Sequence, residues 1–253
     1  MKRIKHTIFL LIAVLVLTNC ESEKHEFPVD KRYWDLNDYD KVILELNYGY
    51  EPDEKLPSFD DPKTRIIAEK LTDQNNFNVV LDDEELGLKH KNKIAEKFFM
   101  EWKNMTKIYN RLNRKDEYLY DKEMLAVWHF GLGLQLKYFK LGNEDLRDSA
   151  DDPNSMVVKS NINSNIKTII NNFIIYLDEV NNEKAFTVEG RKKFASGIDK
   201  YFSALIELYP DANYKLMKNK AELMLKKSKT DVIKSSLKNL IKLIDSKKKQ
   251  SAA

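Results

Sequence analysis

From residue 90 onward the apolar residues recur at intervals of three and four, the spacing that puts side chains on one face of an α-helix. Ile94, Phe98, Trp102, Met105, Tyr109 and Leu112 form one such stripe. Ile166, Ile169, Ile170, Phe173, Leu177 and Val180 form another, and Phe194, Ile198, Tyr201, Phe202, Leu205 and Tyr209 a third. Between the first two, Met124 to Phe139 is apolar nearly all round, the pattern of a helix enclosed by others. Two further stripes, Tyr214 to Met224 and Ile233 to Ile244, carry the pattern to the C-terminus. Thr187 and the pair Thr230 and Asp231 stand where N-caps belong, and Pro210 where a helix must stop.

Only 7 Gly and 6 Pro occur in 253 residues, too little punctuation for a many-turned sandwich or barrel. The 12 Phe, 12 Tyr and 3 Trp supply ample core, which excludes a disordered chain. The predicted fold is therefore all-α: an irregular helical bundle of about six helices with a less regular N-terminal extension, forming a single helical domain over 34–250. In the extension Asp61 and Pro62 predict a capped helix start. The runs within 41–50 and 77–81 fit either strands or helix turns, and Gly142 to Ser160 reads as a loop joining two helix groups.

Lys2, Arg3 and Lys5 precede an unbroken apolar run from Ile8 to Leu17, too short to span a bilayer. Leu17-Thr18-Asn19-Cys20 follows, and Cys20 is the one cysteine of the chain. This segment resembles the signal peptide and lipobox of bacterial lipoproteins, with Asn19 where that family usually has Gly, Ala or Ser. The resemblance implies removal of 1–19, lipidation of Cys20 with acyl chains such as palmitate, and a membrane partner reached through that residue. Each buried methylene contributes about 0.8 kcal/mol to such anchoring. Residues 20–33 then read as a polar tether. Glu21-Ser22-Glu23 is similar to the surface-export signals of some outer-membrane lipoproteins, and Glu21 avoids the inner-membrane retention signal. Together these imply an outer-membrane anchor, on its periplasmic or surface face. A lone cysteine also excludes an internal disulfide framework and a Cys-based zinc site.

Loss of 1–19 would leave 40 Lys+Arg against 40 Asp+Glu, so the apparent basicity belongs to the signal. The distribution is uneven. Residues 21–85 hold 19 acids and 8 bases, and residues 215–253 hold 12 lysines and 3 acids, so the two ends are expected to attract each other or oppositely charged partners.

Motifs for chemistry are sparse. His90 and His129, the histidines assigned to the folded part, lack the spacing of a metal site, and neither a metal nor a cofactor is expected. Asp82, Asp83, Glu84 and Glu85 read as a helix-end cluster complementing a dipole, with calcium as the competing reading. Asp148, Asp151, Asp152 and Asn154 form a weaker cation candidate. Gly131-Leu132-Gly133 lies inside a helical pattern and reads as a place for close helix approach rather than a phosphate loop. Ser196-Gly197 lacks a nucleophile elbow. The C-terminal lysines read as a solvated helix face, and secretion argues against nucleic acid. Tyr48 and Tyr50, with Tyr118 and Tyr120, fit a groove lining or core packing, and Trp34 reads as a clamp for the N-terminal arm.

The expected role is binding: a lipid-anchored envelope lipoprotein acting as an accessory protein for an envelope protein partner. One version is an immunity or inhibitor lipoprotein that captures an envelope toxin. Another class, a carboxylate-dependent hydrolase using 82–85 with His90, requires those groups to gather in a pocket. A purely structural spacer would need no soluble partner.

Overall fold

The computed structural model describes residues 24–110, 112–113, 117–148 and 155–250. The signal segment, Cys20 and the loop residues Asp151, Asp152 and Asn154 lie outside the described residues.

Among the described residues ten α-helices follow one another: α1 Leu36–Leu44, α2 Arg65–Leu71, α3 Asn75–Leu81, α4 Leu88–Ile108, α5 Asp121–Asp148, α6 Ser155–Leu177, α7 Val188–Gly197, α8 Ser203–Leu208, α9 Lys215–Lys227 and α10 Asp231–Gln250. A π turn, Ile198–Phe202, joins α7 to α8 in one rod, and another, Glu45–Gly49, ends α1. Helix α6 tightens into 3-10 turns over Asp178–Ala185. Counting the α7–α8 rod once, the described part of the chain after residue 87 is a six-helix bundle, as the apolar spacing predicts. Among its described residues the strands are a two-residue antiparallel pair, β1 Leu112–Asn113 and β2 Glu117–Tyr118, with Leu112 opposite Tyr118.

Helix α5 is the axis of this bundle: it packs against α4, α6, α7 and α8. Its apolar belt is the reason, since Leu125, Val127, Phe130, Leu132 and Leu134 point in several directions and all are buried. Gly131 and Gly133 serve close approach. A Cβ on Gly131 would overlap the Trp102 indole of α4, and one on Gly133 would meet the Gln74 amide. The rod starts where expected, with Thr187 accepting from Gly190 N at 3.0 Å, and α8 ends at Leu208 before Pro210.

Helices α1 and α3 pack on the outside of α4. The two ambiguous runs are helical. Adjacent Val42 and Ile43 are buried together with Leu46, and Phe77 and Leu81 are buried while Val79 between them is exposed; a strand would split the first pair between its faces and put 77, 79 and 81 on one. Trp34 is 1% exposed and donates from Nε1 to Pro28 O at 2.9 Å, so it does clamp the arm.

Three boundaries differ from expectation, one of them at Ser155, where α6 begins inside the stretch 142–160 read as a loop. The Asp61 side chain caps a turn, accepting from Lys63 N and Thr64 Oγ1, and α2 begins only at Arg65. Gly142 does not end α5, which runs to Asp148: one interior glycine costs about 1 kcal/mol, and Leu141, Phe139 and their neighbours bury enough surface to carry the helix past it.

Two lysines of the basic end bond within the C-terminal half rather than to the acidic end. Lys218 bonds Asp245 at 2.6 Å and Lys220 bonds Asp178, both carboxylates of the C-terminal half. Among the described residues no helix is long and apolar enough to cross a membrane.

Candidate functional site

Helices α4 and α6 both lie on α5 and pack far more on it than on each other. On the strip of α5 between them Met124 and Trp128 floor one end of the channel and Gln135 and Tyr138 the other, all on one face at helical spacing, with the Trp102 indole of α4 seated on Gly131 between the two ends. Two cavities lie in line along it.

The first, about 320 Å³, is enclosed by Ala95, Phe99 and Met100 of α4, Leu134, Tyr138 and Phe139 of α5, and Ile169 of α6. Its depth is apolar; Glu96, Met100, Asn165 and Thr168 stand exposed at the mouth. Gln135 is buried, accepts from Asn172 Nδ2 at 2.8 Å and donates to Gly131 O at 3.1 Å, so an amide pair closes one side without an orphaned group. Burial, aided by the Glu96 carboxylate, holds the Tyr138 phenol above its ordinary pKa, so it stays protonated.

The second cavity, about 270 Å³, is formed by Trp102, Lys103, Thr106 and Lys107 of α4, Met124 and Trp128 of α5, and Glu179. Trp102 meets Trp128 edge to face at 5.7 Å and is fixed by a bond from Nε1 to Val127 O at 2.8 Å. Phe99 of the first cavity packs on Trp102 of the second at 5.2 Å, which makes the two halves one aromatic surface.

The residues singled out from sequence lie elsewhere. Asp82 pairs with Lys137, while Asp83, Glu84, Glu85 and His90 are exposed around the α3–α4 turn and gather in no pocket. Nor do the carboxylates N-cap α4, where Gly87 stands with no side-chain bond; Asp82 is the C-cap of α3 and Asp83 accepts from Glu85 N in the turn. Tyr50, Tyr118 and Tyr120 serve structure: Tyr50 stacks on His25, Tyr118 donates to Glu179 and Tyr120 accepts from Leu56 N. Only Tyr48 stands exposed.

Several polar groups are more constrained than the sequence suggests. Asp121 and Glu123, at the start of α5, are both buried. Asp121 accepts from Thr187 N and Oγ1, each at 2.7 Å; Glu123 accepts from Ser58 Oγ at 2.9 Å and Phe59 N at 2.5 Å. These carboxylates bolt the rod and the 51–64 loop to α5. Lys193 lies 4.4 Å over the Phe59 ring, its pKa lowered by burial against the pull of Glu123. His129 is held near a pKa of about 3 by burial and by Lys193 and Lys200. The Tyr176 hydroxyl donates to Phe194 O at 3.1 Å, so its oxygen takes the Nε2 proton of neutral His129 at 2.9 Å.

The arm before Trp34 also carries a third folded histidine. His25 lies against the domain with Nδ1 at 2.6 Å from Glu45 and Nε2 at 2.7 Å from Glu54, so the described part of the stretch assigned to a tether is docked. Among the described residues no group of three or more His, Cys, Asp or Glu side chains is placed to hold a metal ion. No family model, no curated protein and no solved structure matches the chain.

Proposed function

We propose that the protein is a lipid-anchored lipoprotein of the bacterial cell envelope, held to the outer membrane through Cys20, and that it acts as a binding or accessory protein. The α4–α5–α6 channel is its binding face, and its partner is another envelope protein. The observation that carries this reading is the channel itself: two preformed cavities in line along α5 from Met124 to Tyr138, about 20 Å at 1.5 Å of rise per residue, walled by Phe99, Trp102, Trp128, Tyr138 and Phe139. Surfaces that combine aromatic and Met side chains in this way suit recognition. The lipobox and its sole cysteine support the anchor.

The test is mild-detergent affinity purification of the full-length, C-terminally tagged chain from its own cells. Cys20→Ala controls for the anchor and Met100→Glu for the face, since Met100 is 65% exposed and its replacement leaves the core intact. A stoichiometric protein that depends on both residues is the expected result. Recovery of the chain alone, or of a partner indifferent to Met100, would overturn the reading.

A further inference from the structure

The first cavity differs from the second in one respect that bears on its occupant. Among the described residues Glu96 is the one charged group of its lining, whereas the second mixes Lys103 and Lys107 with Glu179. Lys103 does lie 5.0 Å over the Phe99 ring, but as a wall of the second cavity. The first therefore offers an apolar interior, three aromatic rings and a single carboxylate at the mouth.

A volume of about 320 Å³ is at the small end of ligand pockets, and an α-helix, some 10 Å across, does not enter it. The Gln135–Asn172 pair and the buried Leu134 and Phe139 hold the walls in place without a ligand, so little ordering opposes binding. Aromatic faces and a carboxylate both attract a positive charge and both disfavour a negative one.

The geometry points to a ligand site in this cavity for a small apolar molecule with a cationic head group, its body against Phe99, Leu134 and Phe139 and its head at Glu96 beside Tyr138. This rests on the binding-protein reading of the same face. It narrows that reading to a hydrophobic amine, free or as the tip of a larger partner.

The probes are octylamine and octanoate, which share a chain and differ in the charge of the head. Each is titrated calorimetrically into the full-length protein in phosphatidylcholine nanodiscs, with empty nanodiscs as reference. One octylamine per chain is expected, with octanoate about tenfold weaker. Glu96→Gln, at an exposed site, should weaken octylamine about threefold and leave octanoate unchanged or slightly improved. Thr168→Trp, exposed at the mouth, should abolish both while the circular dichroism of the helices is retained. Equal binding of the two heads, or octylamine binding that survives Thr168→Trp, would overturn the proposal. If octylamine fails while a Met100-dependent partner is recovered, this inference falls and the binding-protein reading stands. If octylamine binds and no partner is recovered, the protein partner is what falls.

Discussion

The imidazole of His25 lies on the phenol ring of Tyr50, centroids 3.9 Å apart and planes 9° from parallel, with a carboxylate at each ring nitrogen. Ionised Glu45 and Glu54 are acceptors only, so both nitrogens must donate and the ring is an imidazolium. Burial pulls the His25 pKa down, but the bonds to Glu45 and Glu54 more than reverse this and leave it raised above 6.5. Lys24 and then His25 hold the Glu54 carboxyl down to about 2. The signs are opposite. The histidine's contribution is complete below pH 6.5 and is lost as the pH rises through the raised value. That of Glu54 is complete above 4.5 and is lost as the pH falls toward about 2. Docking of residues 24–33 should therefore be firmest between about pH 4.5 and 6.5, the ordinary values of the two groups. Amide exchange across 26–34 measures it: His25→Gln should speed exchange in that window and converge with wild type at alkaline pH. Equal exchange at pH 6 would refute the latch.

Gly131→Ala is expected to be among the most damaging small substitutions in the bundle. The added methyl overlaps the Trp102 indole, which cannot swing away because its Nε1 is bonded to Val127 O. Overpacking at such a site costs about 2 kcal/mol, which lowers the Tm by about 5 °C. Trp102 also lines the channel, so partner or ligand binding should weaken with it. Gly87→Ala, where a Cβ meets nothing within 4 Å, provides the comparison without overpacking and should cost less, about 1 kcal/mol at most for its N-cap place.

Glu123 offers a test of the buried carboxylates. One oxygen accepts from both Ser58 Oγ and Phe59 N, so Glu123→Gln can retain both bonds through its carbonyl, while Glu123→Ala leaves them unmet in a buried place. The alanine variant should lose about 3 kcal/mol in urea unfolding and the glutamine variant about 1 kcal/mol. Proteolysis in the 51–64 loop should rise with the first and hardly with the second.

The helices could be read from the sequence because three-and-four spacing is local and each stripe declares its own buried face. Which stripes meet is not local. Phe99, Tyr138 and Ile169 look like any core positions until α4 and α6 are seen to share α5 without closing over it. Asp121 and Glu123 resemble the ordinary acidic first turn of a helix, and their burial follows from Thr187 and Ser58, more than 60 residues away. His25 sits in a polar stretch whose composition suggests a tether; its partners are 20 and 29 residues on. The acidic run at 82–85 misled in the opposite way, since clustering in sequence does not gather side chains at a turn that splays them.

His129 should act on stability against His25. Its folded pKa of about 3 lies below the unfolded 6.5, so between those values the unfolded chain binds the extra proton. Stability from this residue is complete above pH 6.5 and declines as the pH falls, with a slope approaching about 1.4 kcal/mol per pH unit. Carboxylates protonate over the lower part of the same range, so the comparison must be with a variant. His129→Gln keeps an amide donor toward Tyr176 and has no proton to gain, whereas wild type does. Urea unfolding at pH 7, 6, 5 and 4 should show the variant less stable at pH 7 and overtaking wild type on acidification. Parallel curves would mean that His129 takes up its proton in the native state, which would require the Nε2 bond to Tyr176 to persist with an imidazolium between Lys193 and Lys200.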